Sequence, residues 1–219
     1  MTKKYPLAIF DLDGTLLDTI GDLAKACDHM LSLRNLATHT EAEYRQMVGN
    51  GIMRLVERAL PEELRTAEYV ASARHDFVEY YFDHIDLYTL PYDGIHEVLS
   101  TLQERGWRLA VASNKFDAGT KRLVAKFFPN INFQAIYGNR EGFPLKPDKA
   151  LLDIIIEECG SAPELCYMIG DSGVDIECAK SAGTHSIGCS WGFRPRTELE
   201  ERKAEIIVDE PRQLLQVLK

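Results

Sequence analysis

Two aspartates, Asp11 and Asp13, stand two positions apart directly after the apolar run Leu7-Ala8-Ile9-Phe10, and Gly14 follows them. That run, bounded by Pro6 on one side and the glycine on the other, reads as a buried strand. Positions i and i+2 of an extended chain lie on one side, so both carboxylates can address one site where the strand ends. Gly14 lets the backbone turn sharply just beyond them. Two close carboxylates repel each other, and burial raises that cost. A hard cation is the natural remedy, because Mg2+ binds through one or two carboxylates and keeps positions open for phosphate oxygens. Taken alone, the same residues also fit a strand end followed by an ordinary Asp-Gly turn.

Three later stretches carry comparable chemistry. Ser113-Asn114-Lys115 follows the apolar run Leu109–Ala112 and supplies a hydroxyl, an amide and backbone N–H groups. Such donors suit phosphate oxygens when a helix N-terminus follows, although a polar strand-to-helix loop has the same composition. Lys146 precedes Pro147, a rigid neighbour that can aim its charge into a site, whereas an isolated lysine is usually solvated. Gly170-Asp171-Ser172-Gly173-Val174-Asp175 places a second acidic pair, four positions apart, at another strand end. Asp175 falls at the start of a helix, where N-capping is the plain role. The string narrowly misses the G-x-S-x-G elbow of serine hydrolases, because Val174 occupies the last glycine position.

The elements that must position these residues follow from periodicity. Residues 19 to 86 read as helical. Asp22 is a candidate cap for a helix bearing Leu23, Ala26, Met30 and Leu33. Thr40 and Glu43 form a capping-box pattern, Gly49-Asn50-Gly51 breaks the run, and Val70, Phe77, Val78, Tyr81 and Phe82 mark a long apolar face. From Pro91 onward short apolar strands alternate with amphipathic helices. Strands are expected at 109–112, 135–137, 166–169, 186–189 and 206–208, and helices at 94–105, 117–128, 151–159 and 176–182. That alternation predicts an α/β fold, a parallel sheet with helices on both faces. The first strand belongs to this sheet, so the helical stretch is an insertion after it. The expected division is a core of residues 1–18 and 87–219 with an inserted α-helical domain of residues 19–86. In such sheets ligands bind beyond the carboxyl ends of the strands, where all the polar clusters fall.

Composition narrows the function. The 219 residues carry a net charge of −9, with 45% hydrophobic and 27% charged residues. No basic stripe favours nucleic acid or an anionic membrane, and an anionic substrate would need a local metal or lysine. Five cysteines without metal spacing read as free thiols of a reducing compartment. Lys3 and Lys4 precede an apolar run that Asp11 cuts short, too brief for a signal peptide; a cytoplasmic location is expected. The six histidines show no ligand spacing.

The string Asp11-Leu12-Asp13-Gly14-Thr15-Leu16-Leu17-Asp18 resembles the first signature of the haloacid dehalogenase superfamily, in its phosphatase branch. Ser113, Lys146 and Gly170–Asp175 are similar to its second, third and fourth signatures, in the required order. The resemblance implies a Rossmann-like core, a helical cap inserted after the first motif, and roles for named residues. It makes Asp11 the nucleophile that becomes an aspartyl-phosphate and Asp13 the general acid and base. Mg2+ would be held by Asp11, the main-chain carbonyl of Asp13 and Asp171, with Asp175 supporting it directly or through water. Ser113 and Lys146 would hold the phosphoryl group, with backbone N–H groups near Leu12 and Asn114. Asn50 and Arg54, at and just after the glycine break, are candidate substrate contacts in the cap, and Trp191–Arg194 is a candidate entrance.

An acid at position 13 speaks against a dehalogenase, which has no leaving alcohol to protonate. Asp18-Thr19-Ile20-Gly21-Asp22-Leu23 and Ser113-Asn114-Lys115 look more like the phosphoglycolate-phosphatase group than the sugar phosphomutases. The expected activity is therefore Mg-dependent hydrolysis of a small phosphorylated metabolite. A phosphomutase or a catalytically inactive binding module are the alternatives.

Overall fold

The computed structural model describes residues 4–219; residues 1–3, which include Lys3, lie outside the described residues. The chain begins with strand β1 (Leu7–Phe10) and a short strand β2 (Leu17–Asp18). Four helices follow: α1 (Ile20–Ser32), α2 (Glu41–Met47), α3 (Gly51–Ala59) and α4 (Ala67–His84). The short strand β3 (Leu90–Pro91) then pairs antiparallel with β2, so the outgoing and returning chain are tied together beside Asp18.

The rest alternates helix and strand: α5 (Ile95–Glu104), β4 (Arg108–Phe116), α6 (Asp117–Phe127), β5 (Phe133–Asn139), α7 (Ala150–Glu158) and β6 (Cys166–Gly170). It continues with α8 (Gly173–Ala182), β7 (His185–Cys189), α9 (Arg196–Glu201), β8 (Ile206–Val208) and α10 (Leu214–Val217). Six parallel strands form one sheet in the order β5-β4-β1-β6-β7-β8. The α/β fold expected from the sequence is therefore the fold observed, helical insertion included.

Side-chain alternation along β1 builds two cores. Ala8 and Phe10 face one layer, together with Val98, Leu99 and Leu123, while Leu7 and Ile9 face the other, with Leu152, Ile155 and Cys178. Both faces of a parallel sheet must be covered in this way, which is why β1 is apolar at all four positions. The first core runs on through Leu12, Leu16 and Leu17 into the helical insertion, reaching Phe77 and Tyr81 of α4. The carboxyl end of β1 thus lies under the insertion and between the ends of β4 and β6. The chain runs outward from β1 to β4 and β5 and then crosses back to β6 on the other side of β1, so the strand order reverses here, at the switch point where such sheets open a crevice.

Local expectations held in places and failed in others. Thr40 and Glu43 form the capping box at α2: the Thr40 amide donates to Glu43 Oε2 at 2.7 Å, and the Glu43 amide to Thr40 Oγ1 at 3.4 Å. Asp22 does not cap α1, which begins two residues earlier, after Thr19. Its buried carboxylate instead accepts the amides of Tyr88 and Thr89 and the Thr89 hydroxyl, the last at 2.7 Å. An acid at that position can serve either a local cap or a distant backbone, and only the fold brings residues 88–89 to it. Phe82, expected on the apolar face of α4, is 49% exposed, because the buried stripe runs through Val70, Ala73, Phe77 and Tyr81.

Candidate active site

Three adjacent strands, β4, β1 and β6, bring Ser113, Asp11 and Asp171 to one place. Asp11 follows β1, and its amide donates to Ile169 O at 2.9 Å, which fixes it against β6. Asp171 follows β6, and Asp175 lies in the first turn of α8. Oxygens of Asp11, Asp171 and Asp175 all lie within 4.8 Å of one another. Burial pushes Asp11 up to about 7, with Lys146 opposing and Asp175 and Asp13 adding to the rise. Burial, then Asp175 and Asp11, hold Asp171 well above the ordinary carboxylate range. Three crowded, desolvated carboxylates offering hard oxygen donors fit a divalent cation such as Mg2+.

The backbone around Asp171 is shaped for that carboxylate. Gly14 has φ +83°, a left-handed conformation, and a Cβ there would lie 2.4 Å from Asp171 Oδ2. A Cβ on Gly192 would lie 2.3 Å from Asp171 Cβ. The Phe193 amide donates to Asp171 Oδ2 at 2.7 Å and the Thr15 hydroxyl to Oδ1 at 3.4 Å. Asp171 is therefore held by the turn after β1 and by the loop after β7.

Lys146 is the fixed positive charge. Its side chain is 1% exposed, and Nζ reaches Asp11 Oδ1 at 3.0 Å, Asp175 Oδ1 at 2.7 Å and Ala112 O at 2.7 Å. Burial alone would drive the ammonium down, but Asp11 and Asp175 outweigh it and keep Lys146 above its usual range. Asp175 also reaches back with Oδ2 to the amide and hydroxyl of Ser172, the latter at 2.7 Å. It thus closes the first turn of α8 and anchors Lys146 at the same time.

Ser113 and Asn114 lie within β4, where the pairing with β5 shifts register between Ala112 and Phe116. This irregularity extends the strand past the expected end at 112 and brings both residues to the cavity wall. The Ser113 hydroxyl accepts the Lys115 amide at 3.2 Å. Asn114, whose backbone N–H is the expected phosphate donor, has its side chain engaged elsewhere. Oδ1 accepts the Lys146 amide at 2.9 Å, and Nδ2 donates to Lys146 O at 3.1 Å and Gly49 O at 3.2 Å. It clamps the loop that carries Lys146 and ties it to the helical insertion.

Asp13 turns away from the three-carboxylate cluster. Its Oδ1 accepts the Thr19 hydroxyl at 2.7 Å and the Lys115 ammonium at 3.0 Å, and Oδ2 lies 3.4 Å from the same ammonium. Lys115 Nζ also donates to the Tyr81 hydroxyl. Burial, followed by Asp13 and Asp22, keeps the Tyr81 phenol well above its usual range, so it stays protonated.

The space between the insertion and the strand ends is small, about 50 Å³. Asp11, Asp13, Ser113 and Asp171 line one side and Leu23, Val48, Ile52 and Leu55 the other. Gly49 and Gly51 border it, but the two cap residues expected to contact substrate do not. Asn50 accepts a hydrogen bond from Arg58 Nη2 at 2.8 Å. Arg54, with its side chain 61% exposed, pairs with Glu57 on the outer face of α3. The i, i+3 spacing of those charges on an exposed helix face explains the outward turn.

Arg194 does border the cavity, as the Trp191–Arg194 stretch suggested. Its guanidinium donates to the carbonyls of Arg45 (3.1 Å), Gln46 (2.7 Å) and Val48 at the end of α2. Those carbonyls lack helical partners, so a core arginine closes the end of a cap helix. Arg194→Ala is expected to lower kcat/KM by about tenfold, the worth of a charged hydrogen-bond set that holds the two parts together. An unchanged kcat/KM with an unchanged melting temperature would remove Arg194 from any part in closure.

Comparison with known proteins agrees with this arrangement. The family model for haloacid dehalogenase-like hydrolases matches residues 8–189. A phosphoglycolate phosphatase of Mesorhizobium japonicum is 32% identical over 92% of this chain and 90% of its own length. One from Vibrio cholerae serotype O1 is 32% identical over 99% of this chain and 98% of its own. A crystal structure from Lactobacillus delbrueckii subsp. bulgaricus, of a chain predicted to be a phosphoglycolate phosphatase, superposes with a TM-score of 0.92. It is 30% identical, and the match covers 99% of each chain. The chain belongs to the haloacid dehalogenase-like hydrolases. Among the described residues no helix is long and apolar enough to cross a membrane.

Thr15, Thr19, Tyr81 and Lys115 are parts of the site that the sequence did not single out for a role, and Phe193, inside the candidate entrance, serves Asp171 through its amide. Thr15 and Lys115 stood inside recognised strings, so their neighbours were a usable signal. Tyr81 carried only a helical apolar spacing, which says nothing of its hydroxyl.

Proposed function

We propose that this phosphoric monoester hydrolase acts on a small phosphomonoester of the phosphoglycolate kind, through an aspartyl-phosphate on Asp11 and with Mg2+ as cofactor. The observation that carries the proposal is the meeting of Asp11, Asp171, Asp175 and Lys146 at the carboxyl end of β1. The names of the relatives and the narrowness of the cavity favour a small substrate. The cap is taken as residues 19–86 and the core as 1–18 and 87–219. Five buried free cysteines favour a reducing, cytoplasmic location.

In the first step an Asp11 oxygen attacks phosphorus, the Asp11 O–P bond forms and the bond to the leaving oxygen breaks. Asp13 gives its proton to that oxygen, releasing the alcohol. In the second step Asp13 takes a proton from water as the water oxygen bonds phosphorus, and the Asp11 O–P bond breaks to give phosphate. Lys146 and Ser113 hold the phosphoryl oxygens, and Lys146 offsets the repulsion between the nucleophile and an anionic substrate. Asp11, Asp171, Asp175 and the Asp13 carbonyl would hold Mg2+, which would supply charge neutralisation at the phosphoryl group.

The test is phosphate release from 2-phosphoglycolate, sugar phosphates, nucleotides and pyrophosphate, with Mg2+ and with chelator. Release confined to the Mg2+ arm and fastest for the smallest monoesters is expected; no release from any member would overturn the proposal. Sugar-phosphate isomerisation without net release would identify a mutase instead.

Stability gives a second readout of the metal. Asp11 and Asp171 bind their protons more tightly folded than unfolded, Asp11 shifting from 3.8 to about 7. Unfolding therefore releases these protons, and their contribution to the metal-free fold weakens as pH rises through that window. Asp171→Asn removes one of the carboxylates. Without metal it is expected to melt above wild type, with a gap that widens from pH 5 to pH 8. With saturating Mg2+ the order reverses, because only wild type gains binding energy from the full ligand set. Equal Mg2+-induced shifts in the two proteins would remove Asp171 from the metal site.

A further inference from the structure

Asp13 must change partners during the reaction, giving a proton to the leaving oxygen and then taking one from water. Something has to fix where its carboxylate stands, since it is outside the cluster that holds Asp11 and Asp171. Among the described residues its carboxylate has two side-chain partners, Thr19 and Lys115. Thr19 is at the start of the insertion. Lys115 is on β4, two residues beyond Ser113, with its side chain 2% exposed. A lysine so deeply buried needs partners, and its ammonium has two: the Asp13 carboxylate and the Tyr81 hydroxyl. It also lies 4.8 Å from the centre of the Tyr81 ring. Tyr81 belongs to α4, 1% exposed in the core of the insertion.

We infer that Lys115 and Tyr81 form a relay of position from the cap to Asp13: α4 sets Tyr81, Tyr81 sets the Lys115 ammonium, and the ammonium sets the Asp13 carboxylate for proton transfer. Neither residue is a catalytic residue in this reading, since neither touches the reacting atoms; both are positioning residues for the acid. The geometry is one-sided in a useful way. Lys115 holds the carboxylate of Asp13, whereas Lys146 holds Asp11 and Asp175. The two buried lysines thus divide the work, one serving the nucleophile and one serving the acid. The inference rests on Asp11 and Asp13 having the roles given above.

A positioning role predicts that the loss depends on the leaving group. An alkoxide needs the proton from Asp13, while a carboxylate leaves without one. The experiment measures kcat/KM, which reports the phosphoryl-transfer step to Asp11, for ethyl phosphate and for acetyl phosphate. Both substrates are small, and the ethyl ester has no carboxylate for Lys115 to bind. Lys115→Met is expected to lower kcat/KM for ethyl phosphate by roughly 100-fold and for acetyl phosphate by less than about threefold. Tyr81→Phe keeps the ring and removes the hydroxyl, so it is expected to show the same selectivity at roughly tenfold. It also covers the case in which Lys115→Met fails to fold. Equal losses on both substrates, in either variant, would mean that the pair serves the phosphate site or the packing, and would overturn the inference. So would no loss on ethyl phosphate. Wild type inactive on both substrates would strike the phosphatase proposal itself, and this inference with it; activity on both, abolished by Asp11→Asn, keeps the two failures apart.

Discussion

Asp11→Asn is expected to reduce kcat by on the order of 10⁴-fold or more, as loss of a nucleophile does when the rest of the site stays in place. The amide is close to the carboxylate in shape, and its oxygen can still accept the Leu12 amide, which lies 2.7 Å from Asp11 Oδ1. The substitution also removes one of three crowded buried carboxylates. The variant should therefore melt no lower than wild type while losing turnover, a combination that general damage to the fold cannot produce. Rapid acid quenching of wild type during turnover should trap a phosphoryl group on the peptide containing Asp11, and none on the variant. Near-normal turnover of Asp11→Asn would end the covalent mechanism.

Lys146→Met should have the largest effect on stability. Lys146 is the only lysine or arginine ion-paired to Asp11 or to Asp175 among the described residues. Removing one partner of a buried ion pair leaves the other uncompensated, which costs about 3–5 kcal/mol. Two carboxylates are stranded here, so the upper part of that range is expected in urea unfolding, together with loss of measurable phosphatase activity. Adding Asp175→Asn to Lys146→Met should restore at least half of the lost stability but none of the activity. That non-additivity would assign the destabilisation to stranded charge rather than to lost packing. If the double variant is no more stable than Lys146→Met alone, the charge account of this triad is wrong.

Much of this architecture was open to a reader of the chain. β1 was bounded correctly at residues 7–10 because four apolar residues between Pro6 and Asp11 leave little choice. β6 and the capping box of α2 were likewise local matters, whereas α8 begins at Gly173, three residues before the expected 176, with Ser172 and not Asp175 as its cap. The candidate ligands Asp11, Asp171 and Asp175 converge as their positions at strand ends required. What the chain concealed depends on distant partners. Asp22 looked like a helix cap because its true partners, Tyr88 and Thr89, lie 66 and 67 positions away. Nothing local says that the Asn114 side chain binds the backbone of Lys146, 32 positions on. Arg54 was attractive for its position after a glycine break, but helical phase turned it outward to Glu57. The antiparallel pair β2–β3 was missed since two residues per strand carry no period at all.

The placing of β1 at the middle of the sheet has a consequence for how the molecule is made. Its two neighbours are β4 and β6, so Leu7 first meets Arg108 and then Cys166. During synthesis the first strand therefore emerges long before either flank exists, and the whole helical insertion is translated in between. Pairings of such sequence separation are slow to form, because loop closure precedes any gain from the contact. Until residue 166 has been made, the apolar strand that carries Asp11 is a half-paired ribbon, the kind of surface that nascent chains must shield from one another. The acidic site is consequently among the last features of the fold to be assembled, although Asp11 leaves the ribosome long before Asp171 does.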